Sequence, residues 1–367
     1  MSTHLGIIGA GAIGRKHAEA ARKVGVAVRW VVDPCRERAE DLAATCGAEA
    51  LASPEPLWGD AVVGAVIVGA PNKWHAELAV AALEAGKDVL LEKPMGTSVA
   101  ECRRINAAAQ AGDRVLQLGF VHRYTGVGRT AERLARAGAC GEIYHARAQL
   151  RLRRGVPGLG KWFTTKEIAG GGALIDVGVH LVDLALHVLG YPEIREVMGQ
   201  TYATFGRWMR DYVYQDMWAG PPDYDGVCDV EDAAHAFIRF VSGATLALDV
   251  AWAGNFPEAS VPASSMGFFG DRGGMAFELF GDHVDLTREV DGAVADERID
   301  APETDFYYDQ LVDFLEAVAT RRVAGASGAH GERVQSTVES TYAGSVDRGC
   351  RPAEPGRRVT LPVRRRP

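Results

Sequence analysis

A chain of 367 residues, 47% hydrophobic and 24% charged, is longer than one ordinary core and points to two folded domains of about 120 to 200 residues each. A formal charge of -8 gives nucleic acid no electrostatic footprint, and the basic end RRVTLPVRRRP reads as a solvated tail. The six cysteines, Cys35, Cys46, Cys102, Cys140, Cys228 and Cys350, include no CxxC pair, which argues against a zinc ribbon or disulfide scaffold and for a reducing cytoplasm. The first apolar run, Leu5 to Ile13, lacks a basic flank and is broken by glycines, unlike a signal peptide, and no run of about 18 apolar residues predicts a membrane span.

LGIIGAGAIGRKHAEAARK predicts a buried strand, a glycine turn and a helix, with Gly9, Gly11 and Gly14 in GxGxxG spacing and Ala12 and Ile13 at the helix start. In such a turn the first glycine permits the bend, the second lets a pyrophosphate approach the backbone, and the third packs helix on strand. The helix N-terminus offers free N–H groups and a positive dipole end to the phosphates. Alone the spacing is weak, but a second strand, VRWVVD, ends in Asp33 about twenty residues on, where a carboxylate accepts hydrogen bonds from ribose hydroxyls. Asp33 favours NAD over NADP, because it repels a 2′-phosphate. Arg36 blurs that preference if its guanidinium neutralises the phosphate, and has no bearing on it if it is simply solvated.

Strands AVVGAVIVGAP and KDVLLEKP flank the helix HAELAVAALEAG, and RVLQLGF follows another helix, which predicts a parallel, doubly wound sheet. Ligands bind at the carboxyl ends of such strands. Three groups fall there: Asn72 with His75, Glu92 with Lys93 and Pro94, and His122 with Arg123. The plainer alternatives are a surface lysine at Lys93 and an ordinary first-turn helix residue at His75.

Further on, DVGVHLVDLALH raises a different question. At about 100° per residue, Asp176, His180, Asp183 and His187 return to within roughly 60° of one another on a helix that is otherwise apolar all round. Such a helix belongs in a core, where charges must be paired or must face a cavity. A metal held by i, i+4 ligands lacks an obvious third ligand, so none is expected; structural pairing is a strong rival for Asp183 and His187. Gly170, Gly171 and Gly172 before the helix allow close backbone approach to a ligand, or merely a flexible loop, and Trp162 and Phe163 can close over nicotinamide or substrate or pack in a core. Later runs such as DAAHAFIRFVSGATLALDVAWAG and GGMAFELFGDHVDLTREV predict hairpin-linked strands of an α+β domain. Ahead of them, in FGRWMRDYVYQDMWAGPPDYDGVCDVED, Trp208, Tyr212, Tyr214, Trp218 and Tyr224 suit a carbohydrate wall or a subunit-interface arm.

Four segments, GAGAIGRKH, APNKWHAELAVAALEAGKDVLLEKP, GFVHRY and GGGALIDVGVHLVDLALHVLG, together resemble the Gfo/Idh/MocA oxidoreductases, in order and over about residues 4 to 345. The resemblance implies an α/β Rossmann-type doubly wound domain over residues 1–122, then an α+β domain over 123–345 whose large, open, mostly antiparallel sheet packs against other subunits, and a tail over 346–367. It implies NAD as cofactor, a sugar, aminosugar or cyclitol as substrate, and a homo-dimer or homo-tetramer with no nucleic acid or membrane partner. It also implies that Lys93 contacts substrate near the nicotinamide, with Asp176 and His180 as catalytic carboxylate and histidine. Elementary chemistry agrees: oxidising a secondary alcohol leaves a hydroxyl proton for a histidine to take, Asp176 one turn away can steady the imidazole, and a lysine ammonium can stabilise the oxygen.

The expected cofactor residues are therefore Gly9, Gly11, Ala12, Ile13, Gly14 and Asp33 with Arg36, joined by Asn72, His75, Glu92 and Lys93. Arg123, Trp162, Asp176, His180 and Asp183 are expected at the substrate. Which ring is oxidised stays open, as do the direction of transfer and a role in secondary-metabolite sugar biosynthesis. The family's NAD-dependent glycosidases and non-catalytic sugar sensors are the rival activities, and the presence of Lys93, Asp176 and His180 argues against a sensor.

Overall fold

The computed structural model describes residues 4–215, 219–257 and 264–346. Trp218, Cys350 and the basic tail lie outside the described residues.

Six short apolar strands, β1 (His4–Ile8), β2 (Val28–Val32), β3 (Glu49–Leu51), β4 (Val63–Val68), β5 (Asp88–Leu91) and β6 (Leu116–Leu118), form an all-parallel sheet in the order β3-β2-β1-β4-β5-β6. Helices α1 (Ala12–Val24), α2 (Arg36–Cys46), α3 (Glu55–Gly59), α4 (His75–Glu84) and α5 (Val99–Ala111) link the strands. Alternation along each strand serves two cores. Ile7, Ile67 and Leu90 pack with Ala18, Ala21 and Leu42 of α1 and α2, while Ile8, Val66 and Leu91 pack with Ala79, Leu83 and Ile105 of α4 and α5. A sheet buried on both faces has no polar side to show, which is why VGAVIV reads as an unbroken apolar run. This is the expected doubly wound sheet, and its order reverses between β1 and β4, opening a crevice at the carboxyl ends of those strands.

After α6 (Gly126–Arg136) the chain builds the second sheet from β7 (Ile143–Arg151), β8 (Ile194–Tyr202), β9 (Ala233–Phe240), β10 (Thr245–Ala251), β11 (Ser264–Gly270), β12 (Gly273–Phe277), β13 (His283–Val290) and β14 (Ala293–Asp300). The order is β14-β13-β12-β11-β7-β10-β9-β8, with β7 and β10 parallel and the other described pairs antiparallel. Period-two burial gives this sheet one inner and one outer face. In β9, Ala234, Ala236, Ile238 and Phe240 turn inward, while Phe237 is 40% exposed; Met198 of β8 is 66% and Tyr144 of β7 60% exposed.

The inner face is covered by the helical run that carries the polar stripe: α7 (Lys166–Ala169), a π-helical turn over Leu174–Gly178, and α8 (Val179–Val188). By length and composition the run from Lys166 to Val188 could cross a membrane, but it is a core helix, mostly buried inside the protein. Two helices from the far end of the chain return to the first sheet. The first, α9 (Phe306–Thr320), packs on α1, its start capped by Asp305, which also pairs with Lys23 at 2.7 Å; the second, α10 (Gly328–Ala343), packs on α5 and β8. The five described cysteines are unpaired.

Candidate active site

The glycine turn after β1 is shaped by contact as well as by conformation. Gly9 has a φ of +101°, and a Cβ there would lie 2.5 Å from the Gly69 carbonyl oxygen; a Cβ on Gly14 would lie 1.9 Å from the Gly9 carbonyl oxygen, so helix and strand meet only through glycine. Gly11 has nothing within 4 Å of where its Cβ would be, and the N-terminus of α1 that it begins has no side-chain cap. Free N–H groups around Ala12 and Ile13 thus border an open part of the cleft, the arrangement by which a helix N-terminus receives a phosphate group.

At the end of β2, Asp33 is 6% exposed. Its carboxylate accepts the Ala10 N–H at 3.0 Å, the Cys35 N–H at 2.8 Å and an Arg38 Nη2 hydrogen at 3.0 Å. Arg36 does not take part: its side chain is 84% exposed, pairs with Glu40 at 2.7 Å and does not line the cleft. Both arginines stand in the first turn of α2, and the phase of that turn gives the inward position to Arg38.

Asn72, His75, Glu92 and Lys93 also line the cleft. Asn72 donates to the Ala169 carbonyl at 2.8 Å, tying the first sheet to α7. His75 is fully buried between the Pro94 and Ala70 carbonyls, at 2.6 and 2.7 Å, and burial lowers its pKa. It pins the backbone on either side of the crevice. Glu92 meets His17 Nε2 at 2.7 Å and accepts the Lys93 N–H at 3.2 Å, while Tyr307 of α9 lies edge-on to His17 and borders the same space.

Where chemistry is expected, Lys93 Nζ donates to Asp176 Oδ1 at 2.9 Å and to the Asp176 carbonyl at 3.0 Å, and Trp252 Nε1 donates to Asp176 Oδ2 at 3.1 Å. Asp176 therefore grips the lysine and not the imidazole of His180, contrary to the expectation from straight-helix geometry. The π-helical turn is the reason: its wider i→i+5 pattern displaces Asp176 from the phase that a regular α-helix would give it. Glu231 holds that turn in place by accepting the Gly172 and Leu174 N–H groups, each at 2.9 Å, and the Tyr342 hydroxyl at 2.9 Å. A Cβ on Gly171 would lie 2.1 Å from the Tyr342 hydroxyl and one on Gly172 1.9 Å from the Glu231 carbonyl oxygen, so the glycine run is packed tightly against protein and is not a loose loop.

His180 and His122 stand edge to face in the cleft, their ring centroids 4.7 Å apart. Burial, reinforced by the Lys93 charge, holds His180 well below the usual histidine range and pushes His122 down to about 4. Both are neutral near pH 7, and each therefore keeps one basic ring nitrogen. His122 emerges as a site residue on equal footing with His180.

Two of the expected substrate contacts lie away from the cleft. Arg123 and Asp183 face each other through two hydrogen bonds, at 2.8 and 2.5 Å, and Asp183 also accepts the Tyr191 hydroxyl at 2.5 Å. Both are buried and neither lines the cleft, because a bidentate ion pair satisfies each charge inside the core. His187 pairs with Glu132 at 3.0 Å. Three positions of the polar stripe thus have a hydrogen-bonded partner from another element, and the fourth, His180, has a ring contact with His122 and a buried Nδ1 without one.

The cleft encloses about 550 Å³. Trp162, stacked on Phe163 at 3.7 Å, gives it an apolar wall with Leu150 and Val177, and Phe280 lies against His122 at 5.5 Å. Phe280 and Tyr307 come from loop and helix positions with no local signal. Of the aromatic segment over 205–228, Ala219 alone among the described residues borders the cleft; Tyr212 is instead buried in a small cluster with Trp252.

A family model described as "Oxidoreductase family, NAD-binding Rossmann fold" matches residues 3–120, and one described as "GFO/IDH/MocA C-terminal domain" matches residues 129–281. D-glucoside 3-dehydrogenase of Escherichia coli (strain K12) is 31% identical over 81% of this chain and 79% of its own. Levoglucosan dehydrogenase, solved with NADH and levoglucosan, shares the fold with a TM-score of 0.82 at 21% identity, covering 94% of this chain and 97% of the other. GenD2 from gentamicin A biosynthesis, solved with NAD, has a TM-score of 0.75 at 28% identity, covering 93% of each chain.

Proposed function

We propose a function from the premise that this chain belongs to the Gfo/Idh/MocA family of NAD-binding oxidoreductases: it interconverts a secondary ring hydroxyl and its ketone on a sugar, aminosugar or cyclitol. The observation that carries this reading is that Lys93, from the end of β5, and His180, from α8, border one cleft together with the glycine cradle and Asp33. Bound NAD supplies the hydride acceptor at the carbinol carbon.

The rest is work for this chain's own side chains. Two donors of the Lys93 ammonium are fixed by Asp176, so its remaining donor is aimed in a set direction. It binds the carbinol oxygen there and stabilises the negative charge that grows as the proton leaves. His180, neutral and with a free basic nitrogen, accepts the hydroxyl proton in oxidation. The same lowered pKa makes its protonated form a strong acid, suited to return the proton in ketone reduction. Asp176 offsets the lysine charge, and Trp252 fixes Asp176. Leu150, Val177, Trp162 and Phe280 keep the reacting end apolar and strengthen these interactions. The outer face of the second sheet, with the paired Met198 and Phe237 exposed, suits association of copies of this chain, and the five described cysteines, all unpaired, suit a reducing cytoplasm.

The test incubates the protein with NAD and a panel of cyclitols, sugars and aryl glycosides, following NADH absorbance and released aglycone. NADH formation with a ring polyol is expected. No NADH from any compound, or aglycone release without net NADH, overturns the proposal.

A further inference from the structure

We propose that the ring oxidised at this site is uncharged and carries an apolar substituent, as an alkyl or aryl glycoside does, and that phosphorylated and nucleotide-linked sugars are disfavoured. The inference rests on the reading of the cleft as a hydride-transfer site and narrows its substrate class. An anionic group brought into a site walled by apolar side chains needs a counter-charge to replace its hydration. Among the described residues, Lys93 is the one lysine or arginine bordering the reacting end, and Asp176 already matches its charge at 2.9 Å. The pair sums to zero. Beside it, His122 and His180 are neutral near pH 7, because burial and the Lys93 charge oppose a second cation. Arg123, next to His122 in the chain, is engaged with Asp183 in the core, and Lys161, next to Trp162, is exposed and outside the lining. The remaining arginine of the cleft, Arg38, stands with Asp33 at the dinucleotide end. Residues 216–218 and 258–263, outside the described residues, include no lysine or arginine.

What the reacting end offers instead is apolar surface. Trp162 stacks on Phe163 with ring centroids 3.7 Å apart, and Phe280, which also lines the cleft, is 70% exposed. His122 touches both His180, at 4.7 Å, and Phe280, at 5.5 Å, so a substituent on a ring held at His180 comes within reach of Phe280. A phenylalanine so exposed gains little from folding alone, and an apolar group entering the cleft completes its burial.

The test measures kcat/KM of the full chain with NAD, by NADH absorbance, on methyl and phenyl glycosides, 1-phosphates and UDP derivatives of glucose, galactose and N-acetylglucosamine, with myo-inositol alongside. On whichever sugar reacts, the phenyl glycoside should exceed the methyl glycoside about tenfold, and the methyl glycoside should exceed the phosphate and UDP forms about tenfold or more. Phe280→Arg places a cation beside His122. It should narrow the gap between methyl glycoside and phosphate about tenfold and abolish the phenyl preference, while Phe280→Leu keeps most of that preference. A phosphate or UDP form oxidised as well as its methyl glycoside, a phenyl glycoside no better than the methyl, or turnover of inositol alone overturns the inference and leaves the dehydrogenase reading standing. Unmoved ratios in a folded, NAD-binding Phe280→Arg variant overturn the role of Phe280. NADH from none of the compounds overturns the dehydrogenase reading itself, and the narrower class with it.

Discussion

Replacing Asp176 by asparagine tests the centre of the site with almost no change in shape. Both oxygens of Asp176 accept: Oδ1 from Lys93 at 2.9 Å and Oδ2 from Trp252 at 3.1 Å. An asparagine has one acceptor and one donor end, so in either orientation its amino group faces a donor. The lysine, 17% exposed, also loses its counter-charge. A buried donor left unmet costs about 1–3 kcal/mol, and a partly solvated ammonium losing its partner adds about 1 kcal/mol, so the combined effect is about 2–4 kcal/mol. If that interaction operates in the transition state, kcat/KM falls by a factor of about 30 to 10³. Steady-state kinetics with the substrate identified from the panel, alongside NAD titration and thermal unfolding, separates lost catalysis from lost folding. Trp252→Phe in the same background removes the competing donor, freeing the asparagine oxygen to face Lys93, so the double variant should be less impaired than the two single losses multiplied. A folded Asp176→Asn variant with parental kcat/KM refutes the claim that this carboxylate orients and balances Lys93.

The remaining expectations concern the imidazoles and the outer sheet. His180→Ala should lower turnover by about 10²–10⁴ while leaving folding and NAD affinity intact; a parental rate in a folded protein assigns the base elsewhere. Because a base must be deprotonated to act and His180 is held well below the usual range, kcat/KM for oxidation should stay flat as pH falls to about 6.5 and drop only below it. An acid limb near or above that value, present in the parent and gone in His180→Ala, contradicts this. His122, at about 4 in the fold against 6.5 unfolded, favours the folded state fully above pH 6.5 and loses that contribution as pH falls toward 4. The loss is about 3 kcal/mol, so a His122→Phe variant should show shallower acid destabilisation by denaturant melts, and an unchanged slope excludes the effect. Met198→Asp with Phe237→Asp should yield monomers by light scattering if copies associate through the outer face of the second sheet, and an unchanged mass rejects that face.

What the sequence makes legible is what short-range chemistry decides. The glycine spacing, the apolar strand runs and Asp33 are local, and they define the first sheet and its cradle. The polar stripe of α8 marks a helix that must meet charged partners. The identity of those partners is not local. A straight-helix projection sets Asp176 beside His180, but Glu231 holds the preceding turn from 57 residues away and the π-helical turn sends Asp176 to Lys93 and Trp252. Asp183 fits the stripe equally well and yet is consumed by Arg123, which turns a plausible substrate contact into a core ion pair. Choosing between Arg36 and Arg38 requires the phase of a helix start, which pattern fixes only to a residue or two. Tyr307 reaches the cleft because α9 folds back on α1, a contact that no local pattern encodes.

The stripe also explains why the two sheets must meet for the site to exist. Three of its four positions are met by residues that precede the second sheet: Lys93 for Asp176, Arg123 for Asp183 and Glu132 for His187. The fourth, His180, stands against His122 from the same stretch. Removed from these partners, the π-helical turn and α8 would expose an apolar surface carrying two carboxylates, Asp176 and Asp183, that the core cannot hold unpaired. Docked together, they present one ammonium, one balancing carboxylate and two neutral imidazoles to a shared space. Formation of the cleft and burial of α8 are thus one structural event, and the charges that make the helix costly to bury are the same charges that fix its position over the dinucleotide fold to within hydrogen-bond distance.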